Sequence, residues 1–288
     1  MKILVIGSSG QVARALSAQA GGHEVIRAGR PQIDLASPTG LADLIGQAAP
    51  DAIINAAAYT AVDKAEEDIA AARALNETGP AALARTAQAL AVPFIHISTD
   101  YVFNGLGGAP YAETAGTAPL NVYGQTKADG EKAVLAVNPA ALIVRTSWVY
   151  APEGQNFVRT MLRLAAARDQ LNVVEDQIGR PTEAHALADA LLVLAEHLRG
   201  GAEGGLLHVT NAGEASWRDL AEAAVRGAGL STPIAGIPTS AYPTPARRPG
   251  DTRLDISKAE RDFGIVLPDW RESLDRCLEM MGVSGRRA

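Results

Sequence analysis

The stretch ILVIGSSGQVARAL, residues 3–16, constrains the fold of this chain more than any other. An apolar run of strand length is followed by a glycine-containing turn and then by residues with the apolar spacing of a helix. Gly7 permits a tight turn, and Gly10 lets the backbone approach a pyrophosphate at the helix N-terminus, where free N–H groups favour anions. The pattern predicts a dinucleotide-binding unit in which Gly7, Gly10, Gln11 and Val12 contact the cofactor.

Further apolar runs of strand length follow, separated by alanine-rich segments with helical spacing such as residues 80–90. The runs are residues 24–26, 52–55, 93–98 and 142–146. Short continuous apolar strands that alternate with helices are typical of a parallel sheet covered on both faces. We predict an α/β protein with a Rossmann-like, doubly wound parallel sheet and a smaller C-terminal α/β domain for the substrate.

The end of the second predicted strand distinguishes between the two nicotinamide cofactors. NAD-selective sites usually carry an acidic residue about 20 residues beyond the glycines, whereas NADP sites offer arginine to the 2′-phosphate. This segment reads EVIRAGRPQ and contributes Arg27 and Arg30 instead of an acid. We predict NADPH, with NADH as the alternative, and Arg30 as the better candidate for the 2′-phosphate; a solvated loop arginine is the other interpretation. Asp34 and Leu35 are predicted to lie near the adenine.

After residue 150 the alternation of strands and helices becomes less regular. We predict helices over about 156–167 and 182–197, and strands over 171–174 and 206–210. Prolines are frequent in residues 231–249, STPIAGIPTSAYPTPARRP, which favours extended and irregular backbone. We assign residues 1–150, with a return over roughly 170–212, to an NADP-binding domain. Residues of roughly 151–169 and 213–288 are assigned to a substrate-binding domain.

Composition excludes several classes of partner. The formal net charge is −6, so no basic field is present to hold nucleic acid or an anionic membrane surface. The single cysteine, Cys277, excludes an internal disulfide and a metal cluster built from thiolates. The N-terminal apolar run is far shorter than a signal-peptide core or a membrane span. We therefore expect a cytoplasmic location.

Tyr123 and Lys127 lie four positions apart in NVYGQTKADGEK. Residues i and i+4 share one face of a helix, so a phenol and an ammonium at this spacing can act on one small molecule. Hydride transfer to a ketone leaves negative charge on oxygen, so a tyrosine placed to donate a proton lowers the barrier, and a nearby cation favours the tyrosinate. A chance pair on a solvated helix is the alternative. Gly124 is predicted to leave room for a cofactor ring.

Polar residues also follow the strand predicted at residues 93–98, at the edge where open α/β sheets bind ligands. The loops around this edge contain an ordered series of motifs. The motifs are NAAAYTAVDKAE, STDYVF, PLNVYGQTK, RTSWVY, NFVRTMLRLA, DQIGRPT and AYPTPARRP. Together they resemble the dTDP-4-dehydrorhamnose reductase family, in the extended branch of the short-chain dehydrogenase/reductase superfamily, over nearly the whole chain. The resemblance implies NAD(P)H-dependent reduction of the C4 ketone of dTDP-4-dehydro-L-rhamnose, the last step of dTDP-L-rhamnose synthesis.

The resemblance also implies roles for individual residues. Tyr123 would donate the proton to the C4 oxygen, Lys127 would stabilise the tyrosinate and hold the nicotinamide ribose, and Thr99 would hydrogen-bond the substrate carbonyl or Tyr123. Further contacts are implied to the cofactor by Ala57 and Ala58, to the sugar by Val62, Asp100, Tyr101 and Trp148, and to the nucleotide diphosphate by Arg247 and Arg248. Core packing is the alternative for Trp148, and surface salt bridges are the alternative for the arginines.

Two rival functions remain open from the sequence. A non-catalytic NADP-binding regulatory subunit would keep the cofactor site, but the presence of Tyr123, Lys127 and Thr99 argues against it. A nucleotide-sugar epimerase or dehydratase would use the same fold, but the motifs PLNVYGQTK and TPARRP favour the reductase. His96 and His208 lie in predicted buried strands, and we interpret both as core residues.

No metal site is predicted. Some members of the family are described as magnesium-bridged dimers through glutamates whose positions correspond here to Ala15 and His185. Alanine offers no ligand and imidazole offers nitrogen where magnesium prefers oxygen. We therefore expect a monomer, or a weak homodimer formed through another surface.

Overall fold

A computed structural model describes residues 1–106, 108 and 110–285. The strands are β1 (Lys2–Ile6), β2 (Glu24–Ala28), β3 (Ala52–Asn55), β4 (Phe94–Thr99), β5 (Leu142–Thr146), β6 (Val149–Tyr150), β7 (Leu171–Val174), β8 (Ile178–Gly179), β9 (Thr182–Glu183), β10 (Gly205–His208), β11 (Ala215–Ser216) and β12 (Ile234–Ile237). The α-helices are α1 (Gln11–Ala18), α2 (Leu41–Ala48), α3 (Val62–Ala65), α4 (Ile69–Arg73), α5 (Gly79–Ala89), α6 (Val122–Val137), α7 (Phe157–Ala165), α8 (Ala184–Arg199), α9 (Trp217–Gly227), α10 (Ser257–Phe263) and α11 (Trp270–Met280). A π-helical segment, Ala74–Thr78, joins α4 to α5. Within the described residues, none of the helices has the length and apolar character needed to cross a bilayer.

Six strands form one parallel sheet in the order β10-β5-β4-β3-β1-β2. The chain passes from β1 outward to β2 and then returns to the other side of β1 to add β3, β4, β5 and β10. This arrangement confirms the predicted Rossmann-like, doubly wound sheet. In such sheets ligands bind beyond the carboxyl ends of the strands, where the strand order reverses, which here is between β1 and β3.

Alternation along the strands places the core on both faces of this sheet. In β1, Ile3 and Val5 pack in a cluster with residues of α1 and α8, whereas Leu4 and Ile6 pack in a second cluster with residues of α2 and α5. All four side chains are buried, as the continuous apolar run predicts for a strand covered on both sides.

The less regular second half differs from its prediction at one strand. β7 occupies the predicted residues but pairs in parallel with β12, from inside the proline-rich segment, and forms a separate two-stranded sheet. The prediction that the chain returns to the large sheet from about residue 170 was therefore wrong for β7. The return consists of α8, which packs on α1, and β10, which pairs with β5. The helices α7 and α9 pack against each other beside the β7–β12 pair.

Candidate active site

The glycine turn after β1 lies beside the loop that follows β3. Gly7 has a φ of 123°, which favours glycine, and a Cβ built on it would lie 3.3 Å from backbone atoms of Ala56 and Ala57. Gly10 is the N-cap of α1 and provides no side-chain cap, so N–H groups of the first turn remain free for an anion. The turn has the shape and polarity that a dinucleotide pyrophosphate requires. The individual cofactor contacts, including those of Ala57 and Ala58, stay predictions.

Gln11 connects this turn to the chain that follows β5. Its Nε2 lies 3.4 Å from the Val149 carbonyl, and its Oε1 accepts a hydrogen bond of 2.9 Å from Asn156 Nδ2. Val12 packs against the core cluster on the α1 side of the sheet. The phosphate turn is therefore tied to the segment that begins the C-terminal half.

The two arginines near the predicted adenine end lie in different environments. Both side chains are exposed, but Arg27 Nη1 donates a 3.0 Å hydrogen bond to the Ser8 carbonyl within the glycine turn. Asp34 Oδ1 accepts a hydrogen bond of 2.9 Å from the Ala36 N–H, and the Leu35 side chain is buried in the core. The bond to the glycine turn distinguishes Arg27 from Arg30, and the contact of either arginine with the 2′-phosphate stays a prediction.

Tyr123 and Lys127 lie on α6, whose start is tightly held. Asn121 caps the helix by accepting from the Gly124 N–H at 2.8 Å, and its Nδ2 donates to the Arg247 carbonyl at 2.8 Å. A Cβ on Gly124 would lie 2.2 Å from the Tyr101 carbonyl oxygen. The space at Gly124 therefore accommodates the backbone after β4, and the expectation that it accommodates a cofactor ring was wrong.

The Tyr123 phenol remains protonated near neutral pH. Burial raises the pKa of Tyr123 to about 12, although the Thr99 hydroxyl opposes this shift. The Tyr101 ring lies edge-on to the Tyr123 ring, with centroids 5.7 Å apart. A phenol in this state carries a proton that it could donate, and the role of Tyr123 as the acid stays a prediction.

Lys127 is fully buried, and its amine contacts the strand beside the helix. Nζ donates to the Ile97 carbonyl at 2.7 Å and lies 3.2 Å from His96 Nε2. Burial lowers the pKa of Lys127 to about 8, and the Glu131 carboxylate opposes this shift. Burial, rather than the lysine charge, therefore dominates the pKa of Tyr123 in this arrangement, which differs from the sequence expectation.

Thr99, Asp100 and Tyr101 follow β4 in one continuous hydrogen-bonded turn. Thr99 Oγ1 accepts from the Tyr101 N–H at 3.2 Å and donates to Asp100 Oδ1 at 3.0 Å. Burial raises the pKa of Asp100 to about 6, and contacts with the Thr252 and Thr99 hydroxyls oppose the shift. The turn places a hydroxyl, a buried carboxyl group and a phenol around Tyr123.

Trp148 is both packed and partly exposed. Its φ of 48° is unusual for a bulky residue, and its ring stacks on Trp217 with centroids 3.6 Å apart. A Cβ on Gly179 would lie 2.5 Å from the Trp148 ring. The ring is thus fixed by its neighbours, as the packing alternative expects, and its role as a wall for the sugar stays a prediction.

The other predicted substrate residues lie where α3 meets the proline-rich segment. Val62 is the first residue of α3, and Asp63 beside it forms a two-armed ion pair with Arg248, with Nη2 2.8 Å from Oδ2. The side chain of Arg247 is exposed. The salt-bridge alternative therefore holds for Arg248, while Arg247 keeps an unobstructed guanidinium for a diphosphate.

Several residues that hold this site were not identified from the sequence. Asn76, in the π-helical segment, bonds both backbone groups of Tyr59 and also Thr126 of α6. Glu131 forms a buried, two-armed pair with Arg145 and accepts from the Ser98 hydroxyl at 2.5 Å. Glu131 continues the i, i+4 spacing of Tyr123 and Lys127, and that signal was available. The contact between His96 and Lys127 had no local signal.

The two positions considered for a metal lie apart from this site. Ala15 is buried in the core, and His185 Nδ1 lies 2.8 Å from Glu183 Oε1. In the described part of the chain no group of three or more histidine, cysteine or acidic residues is arranged to hold a metal ion. The predicted independence from metal remains to be tested by experiment.

Comparison with known proteins gives consistent results over the full chain. A family model described as the RmlD substrate binding domain matches residues 1–283. A dTDP-4-dehydrorhamnose reductase from Sinorhizobium fredii is 45% identical over 100% of both chains. The crystal structure of a dTDP-4-dehydrorhamnose reductase from Clostridium acetobutylicum, 36% identical, superposes with a TM-score of 0.93 over 98% of this chain and 100% of that chain. The enzyme of this name from Bacillus anthracis, 30% identical and solved in complex with NADP, gives a TM-score of 0.91 over 97% of this chain and 99% of that one.

Proposed function

The chain belongs to the family of dTDP-4-dehydrorhamnose reductases, and from this premise we propose how its site reduces the C4 ketone of dTDP-4-dehydro-L-rhamnose to dTDP-L-rhamnose. The observation that carries the proposal is that Tyr123 and Lys127 of α6 lie beside the carboxyl-terminal half of β4, which ends at Thr99, in the same parallel sheet that carries the Gly7 turn. Open α/β sheets bind nucleotides beyond the carboxyl ends of their strands.

The residues present fit a nicotinamide dinucleotide. The Gly7 turn leaves no room for a side chain, and α1 begins without a side-chain cap, so the pyrophosphate would lie against backbone N–H groups. Arg27 donates to the Ser8 carbonyl of this turn and would hold the 2′-phosphate, and no acidic residue occupies the end of β2. NADPH, when bound, supplies the hydride for C4 of the sugar.

The protein supplies the proton and holds the substrate carbonyl. The protonated Tyr123 hydroxyl donates to the C4 oxygen as negative charge develops there, and the Thr99 hydroxyl orients this oxygen or the phenol. Burial disfavours the resulting tyrosinate, so Tyr123 regains its proton readily once the product forms. Lys127 is one helical turn away on the same face and stabilises the transient anion.

The substrate contacts form the more detailed part of the proposal. The fixed Trp148 ring offers an apolar wall to a 6-deoxy sugar, and the buried Asp100 offers acceptors to its hydroxyl groups. We assign Val62 and Tyr101 to the same sugar site, and the exposed guanidinium of Arg247 is suited to the nucleotide diphosphate. A cytoplasmic location, a role in polysaccharide biosynthesis and a monomeric or weakly dimeric state are included as predictions.

The test is a turnover assay with purified protein, dTDP-4-dehydro-L-rhamnose and NADPH. We expect one NADPH to be oxidised for each dTDP-L-rhamnose formed, with unchanged activity and sedimentation in EDTA. Conversion of the sugar without net oxidation of NADPH would instead identify an epimerase or dehydratase. NADPH binding without any turnover would identify a regulatory subunit.

A further inference from the structure

The buried amine of Lys127 ends a hydrogen-bonded chain that begins in the loop after β3. The Ala57 N–H donates to Asn55 Oδ1 at 3.2 Å, Asn55 Nδ2 lies 3.0 Å from His96 Nδ1, and His96 Nε2 lies 3.2 Å from Lys127 Nζ. Asn55 and His96 are fully buried, and Lys127 is 1% exposed. These side chains are therefore closed to bulk solvent.

The Ala57 N–H determines which ring nitrogen of His96 carries the proton. Because this N–H needs an acceptor, the Asn55 oxygen faces Ala57 and the Asn55 nitrogen faces His96. An amide nitrogen only donates, so His96 Nδ1 is the acceptor. Burial holds the pKa of His96 well below its usual range, so the ring is neutral and its proton lies on Nε2.

The Nε2–H group of His96 faces Lys127, and only one protonation state of the amine matches it. An ammonium has three donors and no acceptor, so it would oppose one N–H group with another. An uncharged amine accepts from His96 Nε2–H through its lone pair and still donates to the Ile97 carbonyl. We propose that His96 is a positioning residue: held as the Nε2–H tautomer by Asn55, it retains the uncharged amine of Lys127 against β4 and disfavours the charged amine there.

The other charged groups near Lys127 do not supply this discrimination. Glu131, one turn along α6, favours the charged amine but is engaged by Arg145 of β5. The other charged or titratable groups that face this part of α6 are Tyr123 on α6 itself, Asp100 and Tyr101 after β4, Glu66, which accepts from the Val122 N–H, Asp63 paired with Arg248, and Arg73 paired with Glu77 and Asp129. Among the titratable side chains of the described residues, only His96 contacts the Lys127 amine.

The consequence for the reaction rests on the proposed function. An uncharged Lys127 bonds both His96 and the Ile97 carbonyl, whereas a protonated Lys127 keeps the bond to Ile97 but opposes the His96 N–H. The loss of the His96 bond favours a turn of the charged amine toward the Tyr123 phenol and the nicotinamide ribose. His96 thereby couples the charge of Lys127 to its position. The amine therefore moves beside Tyr123 only after it has gained a proton.

Nuclear magnetic resonance of the intact protein tests the inference without turnover. The chain has five histidines and five lysines, so labelling with ¹⁵N-histidine and ¹³Cε-lysine gives five resolvable sites of each kind. His96→Phe and Lys127→Met provide the assignments. We expect His96 to carry its proton on Nε2 and Lys127 to titrate near pH 8. A proton on Nδ1, or a Lys127 that titrates near its ordinary pKa, would overturn the proposal.

Substitution at His96 separates positioning from mere packing. His96→Asn keeps a polar group near the position of Nδ1 and removes Nε2, so we expect the titration of Lys127 to move up by about one pH unit. The alkaline limb of the pH profile of kcat/KM should move with it. His197→Asn, the same change on the exposed side of α8, is the matched control and should leave Lys127 unchanged. An unaltered titration in His96→Asn would refute the positioning role, whereas an inactive wild-type protein with the expected spectra would refute only the proposed function.

Discussion

At the scale of single residues, burial sets the protonation of the two side chains that carry the proposed chemistry. Burial raises the pKa of Tyr123 to about 12, so the phenol stays protonated, and it lowers the pKa of Lys127 to about 8, so the ammonium loses its proton more easily. Both shifts disfavour the charged form, as a site of low dielectric requires. Tyr123 is therefore protonated before the substrate binds, and the charge of Lys127 changes with small changes in its surroundings.

Tyr123→Phe tests the role of the acid. The ring and its edge-on contact with Tyr101 are retained, and only the hydroxyl that donates the proton is lost. We expect turnover to fall by about 10²- to 10⁴-fold, because general acid catalysis contributes that much, while NADPH still binds. Stopped-flow turnover and fluorescence titration of NADPH measure the two quantities, and near-normal turnover would show that another group donates the proton.

Arg27→Ala tests cofactor selection. The structure places this guanidinium on the glycine turn, so its loss removes a charge-assisted hydrogen bond to the 2′-phosphate. We expect NADPH binding to weaken by about 10- to 100-fold and NADH binding to change little. Arg30→Ala is the matched comparison, since the sequence preferred Arg30 and the structure leaves it exposed. A larger effect at Arg30, or equal effects on both cofactors, would contradict this assignment.

At the scale of elements, the contact between α6 and the turn after β4 positions the acid relative to Thr99. The helix approaches so closely that the Gly124 site is filled by the Tyr101 carbonyl, and Pro119 lies on the other side, 3.0 Å from a Cβ built there. Asn121 holds the start of the helix and also the backbone of the proline-rich segment. Tyr123 is therefore positioned by backbone packing.

Gly124→Ala tests this packing. Alanine favours a helix over glycine by about 1 kcal/mol, but the added methyl group would overlap the Tyr101 backbone, so we expect a net loss of stability of about 1–3 kcal/mol and reduced turnover. Gly46→Ala in α2 is the control, because nothing lies within 4 Å of its Cβ position, and it should gain stability. Urea unfolding of both variants gives the comparison, and a stabilised Gly124→Ala would show that the contact is loose.

The sequence predicted the elements whose signals are local. The run at residues 3–6, the glycine turn and the Asn156-capped helix α7 each carry their pattern within a few neighbouring residues. The partner of β7 was not predictable in the same way, because short parallel strands pair through crossovers and the sequence LNVV does not specify which strand it joins. For the same reason the contacts of Lys127 with His96 and of Asp63 with Arg248 emerged only from the tertiary structure.

At the scale of the whole molecule, the sheet is stabilised by buried groups that must stay uncharged. His208, at the end of β10, is fully buried, with Nδ1 3.2 Å from the Asp255 carbonyl and Nε2 3.4 Å from Arg145. Burial and the Arg145 charge lower the pKa of His208 to about 3, and burial similarly lowers that of His96. Asp100 acts in the opposite direction, since burial raises its pKa to about 6.

The pH dependence of stability follows from these shifts. The pKa of His208 is depressed in the folded state, so its contribution is complete above the unfolded value of about 6.5 and is lost as pH falls toward 3. Between pH 7 and 5 this loss is about 2 kcal/mol, to which His96 adds a loss of the same sign. Protonation of Asp100 offsets part of this loss, because a raised folded pKa stabilises the fold as pH falls below about 6.

The variant His208→Gln, which cannot titrate, tests this pH dependence. We expect it to be less stable than wild type at pH 7. The difference in the free energy of unfolding between the two proteins should shift by about 2 kcal/mol in favour of the variant at pH 5. Urea unfolding of both proteins at the two pH values measures the difference, and parallel pH profiles would show that His208 does not titrate on unfolding.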